Sequence, residues 1–254
     1  MIKPNFFIIG AVKCATTTLA RLLEQHPQAA IGKHKEPHFF SIKYDGPGQM
    51  DSYLALYQHC TTEMAIGDAS TSYSRIRYYP QTIKRIYDFD PDAKIIFIVR
   101  HPLKRIESAY AERIVTANAQ NFQSLNQSVR QIPMMVDSSR YWEVFDAYRQ
   151  IFPEKNILIV WFEELTKNQQ KVFSEICLFL GIDAPKEHLL SPVHTNSRAD
   201  KEQQINAKGL SIEDFNTQWD DDTRSYVIDQ LRDDNLKLLK YFGKPEDYWG
   251  NLFC

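Results

Sequence analysis

The chain has almost no net charge: 30 lysines and arginines against 32 aspartates and glutamates leave −2 over 254 residues. No global field draws it to nucleic acid or to an anionic membrane, although a local basic pocket is compatible with that balance. Its four cysteines, Cys14, Cys60, Cys177 and Cys254, lie far apart and form no C-x-x-C pair. That argues against a zinc site or a disulfide framework and for free thiols in a reducing compartment. Long hydrophobic runs are missing too. No stretch approaches the roughly 18 to 20 apolar residues that span a bilayer, and the opening Met1-Ile2-Lys3-Pro4-Asn5 has no signal-peptide pattern. The expectation is a cytoplasmic protein with no membrane or nucleic-acid partner. Internal repeats, low-complexity tracts and a clear linker are also lacking, so one domain over residues 1–254 is expected.

What is present is an alternation of short apolar runs with amphipathic segments. Phe6 to Ile9 reads as a buried strand, Ala65-Ile66-Gly67 as a short one, and "AKIIFIVRHP" as the cleanest of all. Its near-continuous apolar core is what a parallel strand buried on both faces requires. "NILIVWFEEL" repeats that signature. Helical periodicity predicts helices over Thr16 to Gln25, Ser52 to His59, Pro80 to Phe89, Leu103 to Val115, Arg140 to Ile151, Lys167 to Leu180 and Asp222 to Phe242. Ala117 to Asp137 is polar, with weak core signals. This order predicts the α/β class: a central, mostly parallel sheet flanked by helices. Ligands of such sheets sit beyond the carboxyl ends of the strands, and Lys13 and Arg100 both fall there.

The first of these ends reads "GAVKCATTT". It lacks the second glycine and the G-K-[ST] ending of the usual nucleotide loop. It still places Lys13 and the hydroxyls of Thr16, Thr17 and Thr18 at the start of a helix. There the unpaired N–H groups and the dipole favour an anion. The second end, "IIFIVRHPLKRIESAY", puts Arg100 at a strand tip, where a guanidinium can grip a phosphate bidentately. Ser108 follows about two helical turns later. Two anion sites at neighbouring strand ends point to a ligand with two separated phosphate groups.

Taken together, "FFIIGAVKCATTTLARLLEQHP", "KEPHFF" and "IIFIVRHPLKRIESAY" resemble the sulfotransferases that use 3′-phosphoadenosine 5′-phosphosulfate (PAPS). The likeness covers roughly residues 6–180 and is nearest to the heparan-sulfate and small bacterial branch. It implies a phosphate-loop-like sulfotransferase fold. It also implies that Lys13, Cys14, Ala15, Thr16, Thr17 and Thr18 hold the 5′-phosphosulfate, and that Arg100 and Ser108 hold the 3′-phosphate. Thr195, Asn196, Ser197 and Arg198 stand where the branch has a late loop over the cofactor. There are departures: Ala15 replaces a common glycine, so that position needs a negative φ or some strain, and Gly67-Asp68-Ala69-Ser70 replaces a lysine-bearing strand end.

Sulfuryl transfer needs a base near the acceptor and relief of charge on the leaving oxygen, a role for Lys13. "KHKEPHFF" offers two bases. Resemblance to the carbohydrate branch implies Glu36, whereas His38 has the more suitable ordinary pKa. Pro37 disfavours a helix at Glu36 and predicts an extended segment with both side chains on one face. Asp68, Ser70, Arg140 and Tyr141 are candidates for the acceptor side. The acceptor is expected to be a small molecule or a carbohydrate, and nothing in the logic requires a metal. The rival readings are a phosphate-loop kinase with Asp68 as base, and a regulatory module that binds the cofactor without turnover.

Overall fold

The computed structural model describes residues 2–116, 124–185 and 215–253. Five strands, β1 (Phe6–Gly10), β2 (Ala29–Ile31), β3 (Ala65–Ala69), β4 (Lys94–Val99) and β5 (Ile157–Trp161), form one sheet in the order β2-β3-β1-β4-β5. Every pairing is parallel. The helices in chain order are α1 (Thr16–Glu24), α2 (Met50–Leu54), α3 (Thr82–Phe89), α4 (Pro102–Thr116), α5 (Leu125–Gln131), α6 (Met134–Asp137), α7 (Tyr141–Arg149), α8 (Phe162–Lys167), α9 (Gln169–Leu180) and α10 (Asp221–Tyr241). The expected α/β class with a parallel central sheet is what the chain forms.

Two compact units result, each discontinuous in sequence: Met1–Arg100 with Val144–Val193, and His101–Glu143 with His194–Cys254. The first carries the whole sheet. Phe6, Phe7, Ile8, Ile95, Ile96, Ile98 and Val99 are all completely buried, as strands covered on both faces must be. Gly67 is required where β3 runs beside β1, because a Cβ there would come within 2.1 Å of the Phe6 ring. The second unit is helical in its described residues. Its long α10 starts on an Asp220 side chain that accepts the Thr223 N–H at 2.6 Å, an N-cap of the usual kind.

Two boundaries differ from the sequence expectation. β5 stops at Trp161, and "FEEL" opens α8, whose Glu163 and Glu164 complement the helix dipole in the first turn. The helix expected over residues 52–59 is α2 followed by a 3-10 turn at Ala55–Tyr57. The polar stretch before Asp137 contains α5 and α6. Among the described residues, no helix is long and apolar enough to cross a membrane.

Candidate active site

The loop after β1 is shaped by backbone conformation. Gly10 has φ +143°, and a Cβ on it would meet Ser74 Oγ at 2.4 Å, so only glycine passes here. Lys13 (φ +67°) and Ala15 (φ +64°) are both left-handed, on either side of Cys14. Alternation of this kind turns successive N–H groups to one side and makes an anion-binding concavity. Ala15 is the residue before α1, and no side chain caps that helix. The first-turn N–H groups of α1 lie at the positive end of its dipole, where an anion is favoured. The question left by the sequence at Ala15 is settled as strain: the left-handed form costs a non-glycine residue roughly 1–2 kcal/mol. Cys14 is fully buried and packs inward. Arg100 joins the loop directly, donating from Nη1 to Lys13 O at 3.0 Å, with its guanidinium 4.2 Å from the Phe162 ring centre.

The segment Lys35–His38 follows β2. It is not extended as Pro37 led one to expect, since Glu36 (φ +61°) and His38 (φ +56°) are both left-handed. Long-range partners impose this. The Glu36 N–H donates to Ala69 O at 3.0 Å, and the His38 N–H to Ser70 Oγ at 3.0 Å. Behind them Phe39 and Phe40 are buried, with Phe39 stacked on Tyr53 at 4.3 Å and Phe40 edge-on to Phe7 at 5.8 Å. The predicted convergence of the two candidate bases still holds: His38 Nε2 lies 3.2 Å from Glu36 Oε2.

Glu36 is 31% exposed, and Lys35 Nζ sits 2.7 Å from its Oε1. Thr71 Oγ1 donates to Oε2 at 3.3 Å. Burial pushes the carboxyl up, but the His38 hydrogen bond and the Lys35 charge and hydrogen bond outweigh it, holding the group at about 2. The half-buried Arg75, absent from the sequence reading, also interacts electrostatically with Glu36.

Asp68 and Ser70 lie beneath this segment, not on its surface. Asp68 is 1% exposed and Ser70 0%. Ser70 Oγ donates to Asp68 Oδ1 at 2.7 Å, and Tyr73 and Tyr53 donate to Oδ2 at 2.7 and 2.8 Å. Burial raises the Asp68 pKa, with the three hydroxyls opposing. An acceptor has no route to these two side chains, so their role becomes one of support, Ser70 linking Asp68 to the His38 backbone. The tyrosines carried no signal, because their partner lies 15 and 5 residues away and aromatic residues in such patterns read as core.

The sulfotransferase domain family matches residues 3–226. The chain belongs to that family. It is 28% identical over 188 residues to mouse heparan sulfate glucosamine 3-O-sulfotransferase 6, an alignment that takes in 70% of this chain and 52% of that protein. The chain thus spans about half the length of that relative. A solved sulfotransferase from Alicyclobacillus acidocaldarius is 26% identical, with a TM-score of 0.74 over 96% of this chain and 98% of the other. A mouse sulfotransferase complexed with PAP shares the fold at 18% identity, with a TM-score of 0.50 over 80% of this chain and 63% of its own.

In this sulfotransferase domain the remaining candidates fall into the second unit or beyond the described residues. Ser108 is half-buried on α4, two turns after Arg100 in sequence. Arg140 and Tyr141, read from sequence as acceptor contacts, are structural. Arg140 bonds Asp137 Oδ1 at 3.1 Å and Gln230 O at 2.8 Å, and Tyr141 is fully buried with its ring 6.0 Å from Trp249. Gln230 lies 90 residues beyond Arg140, and Trp249 is still farther from Tyr141, where no local pattern reaches. Thr195, Asn196, Ser197 and Arg198 lie outside the described residues.

Proposed function

We propose that residues 1–254 act as one sulfotransferase domain that moves a sulfuryl group from PAPS to a hydroxyl or amine of a small-molecule or carbohydrate acceptor. The observation that carries this reading is the loop at Gly10–Thr18. Its left-handed pair, uncapped helix start and lysine fit a phosphosulfate, and Arg100 is bonded to the same loop. The family match, the heparan sulfate relative and the PAP-bound neighbour support the donor and the acceptor class.

PAPS, when bound, supplies the activated sulfuryl group. Loop N–H groups and Lys13 hold its phosphosulfate, and the Lys13 ammonium neutralises the charge that builds on the phosphate oxygen as the sulfur–oxygen bond breaks. Arg100 and Ser108 take the 3′-phosphate. With PAPS held there, the Glu36–His38 pair would take the proton of the acceptor hydroxyl or amine as that acceptor displaces the phosphate oxygen in line at sulfur. A kinase with Asp68 as base gains nothing from the structure, since that carboxylate is buried and occupied by three hydroxyls.

Thermal unfolding separates the readings. PAP at 100 times its Kd stabilises the native state by about 2.7 kcal/mol if it binds only that state. Stabilisation by ADP with magnesium and none by PAP would overturn the proposal. PAP binding without labelled-sulfate transfer to any acceptor from a source-cell extract would point to the regulatory module.

A further inference from the structure

Around the His38 ring, two buried hydroxyls have no role in the reading above. Ser72 Oγ lies 2.7 Å from His38 Nδ1, and Ser41 Oγ lies 2.6 Å from Ser72 Oγ. Ser72 is 0% exposed and Ser41 6%, so water does not substitute for either. The opposite ring nitrogen, Nε2, faces Glu36 Oε2 at 3.2 Å. A serine hydroxyl carries one proton, and a neutral imidazole carries one on either nitrogen. Protons can therefore run through the chain in only two directions.

If neutral His38 held its proton on Nδ1, the bare lone pair of Nε2 would point at a carboxylate oxygen, and two acceptors would face each other. With the proton on Nε2, that N–H donates to Glu36, Ser72 donates to Nδ1, and Ser41 donates to Ser72. Every polar atom then has a partner. The Lys35 ammonium, 2.7 Å from Oε1, favours the ionised state of Glu36 whatever the ring carries, and an ionised Glu36 favours the second arrangement.

We propose that Ser41 and Ser72 are positioning residues, whose hydroxyl relay acts with the Glu36 carboxylate to hold neutral His38 as the Nε2–H tautomer and so clamps that carboxylate for proton acceptance. The proposal rests on the reading of Glu36 and His38 as the proton-accepting pair, and it divides their labour. A carboxylate offers about four lone-pair directions. On Oε2 two are taken, by His38 and Thr71, and on Oε1 one is taken by Lys35. Among the described residues the open direction is on Oε1, the place left for the acceptor proton, and His38 orients the group instead of competing for that proton. The relay also survives protonation of the ring. Nδ1–H then donates to Ser72, Ser72 to Ser41, and Ser41 to His38 O at 3.3 Å, with no heavy atom displaced. The charged groups around the pair are Lys35 against Glu36, Arg75 interacting with Glu36, and Asp68 reached through Ser70.

The test is the ring-nitrogen NMR spectrum of histidine-labelled protein, with His38 assigned by comparison with His38→Asn. With the ring neutral, wild type is expected to carry its proton on Nε2. A neutral His38 with the proton on Nδ1 overturns the proposal without any variant. In Ser72→Ala the Nδ1–H form should gain population and kcat should fall roughly tenfold, a fraction of what a general base contributes. Donor KM should stay unchanged, so that kcat and KM split. Wild-type kcat and an unchanged tautomer in that variant also overturn it. Should Ser72→Ala fail to fold, Ser41→Ala, which removes only the donor behind Ser72, carries the same expectation. Tautomer and turnover are read separately, so a chain that transfers no sulfuryl group sinks the functional reading while the spectrum still decides the relay.

Discussion

Glu36 in the first unit and Asp234 in the second are both carboxylates drawn out of water, and the protein pushes them in opposite directions. Glu36 is held at about 2. Burial would raise it, but the His38 and Lys35 contacts prevail. Asp234 is pushed up to about 6 because burial prevails over the N–H groups of Glu143 and Trp142. Its two oxygens accept those N–H groups at 2.9 and 3.0 Å, so a side chain of α10 caps the first turn of α7. What separates the two is the balance: at Glu36 the His38 and Lys35 contacts outweigh burial, whereas at Asp234 burial and the Glu143 charge outweigh two backbone N–H groups and Arg140.

The strongest way to break the comparison is Glu36→Gln. It keeps the shape and removes the proton acceptor, so kcat should drop by 10² or more, as loss of a general base does. PAP binding should be retained. Full activity in this variant would move the base to His38 and erase the contrast. Asp234→Asn should do the reverse: activity per folded molecule stays, and stability changes its pH dependence. The folded value near 6 lies above the usual 3.8, so the wild-type contribution is complete below 3.8 and is lost as pH rises through about 6. Urea unfolding at pH 4 and pH 7 should show that loss as roughly 1–2 kcal/mol after discounting for partial exposure, and Asp234→Asn should flatten it. For Glu36 the sign is opposite. Its stabilisation is present above 4.5 and lost as pH falls towards 2.

The sheet was legible because its cause is local. The residues of β4 are apolar without interruption, and Gly10 and Gly181 mark where a strand and a helix end. The phosphate loop was legible for the same reason, as strand, lysine, hydroxyls and helix are consecutive. Illegible features depend on distant partners. Nothing near Glu36 and His38 announces left-handed backbone, which is set by Ala69 O and Ser70 Oγ more than 30 residues away. Arg140 carried the same charge in the sequence as Arg100, and only its partners on α10 show it to be a structural tie. The α8 start was within reach: two glutamates after an apolar run are a helix-opening signal, overridden by the strand pattern before them.

A smaller effect sharpens the electrostatic half of the comparison. Lys35→Met removes the ammonium at 2.7 Å from Glu36 Oε1 while preserving much of the side-chain volume. The carboxylate loses one of the contacts that hold it down, so the acid limb of the kcat profile should move to higher pH, by about one unit for a cation at this range. An unmoved limb would mean that His38 alone sets the Glu36 ionisation.

The smallest effect expected is at Ala15. Its φ of +64° is the conformation in which the loop turns its N–H groups towards the ligand side, and alanine holds it at a steric cost. Ala15→Gly removes that cost of roughly 1–2 kcal/mol but adds about 0.5–1 kcal/mol of chain entropy to the unfolded state, so the net gain in stability should stay under about 1.5 kcal/mol. If the strain only limits the fold, the glycine variant melts slightly higher and binds PAP as before. If the alanine methyl keeps the empty loop in its binding shape, the variant gains stability and loses PAP affinity. Differential scanning calorimetry, alongside PAP titration of both proteins, distinguishes the two, and a lower melting temperature with unchanged affinity would show that Ala15 bears no strain to relieve.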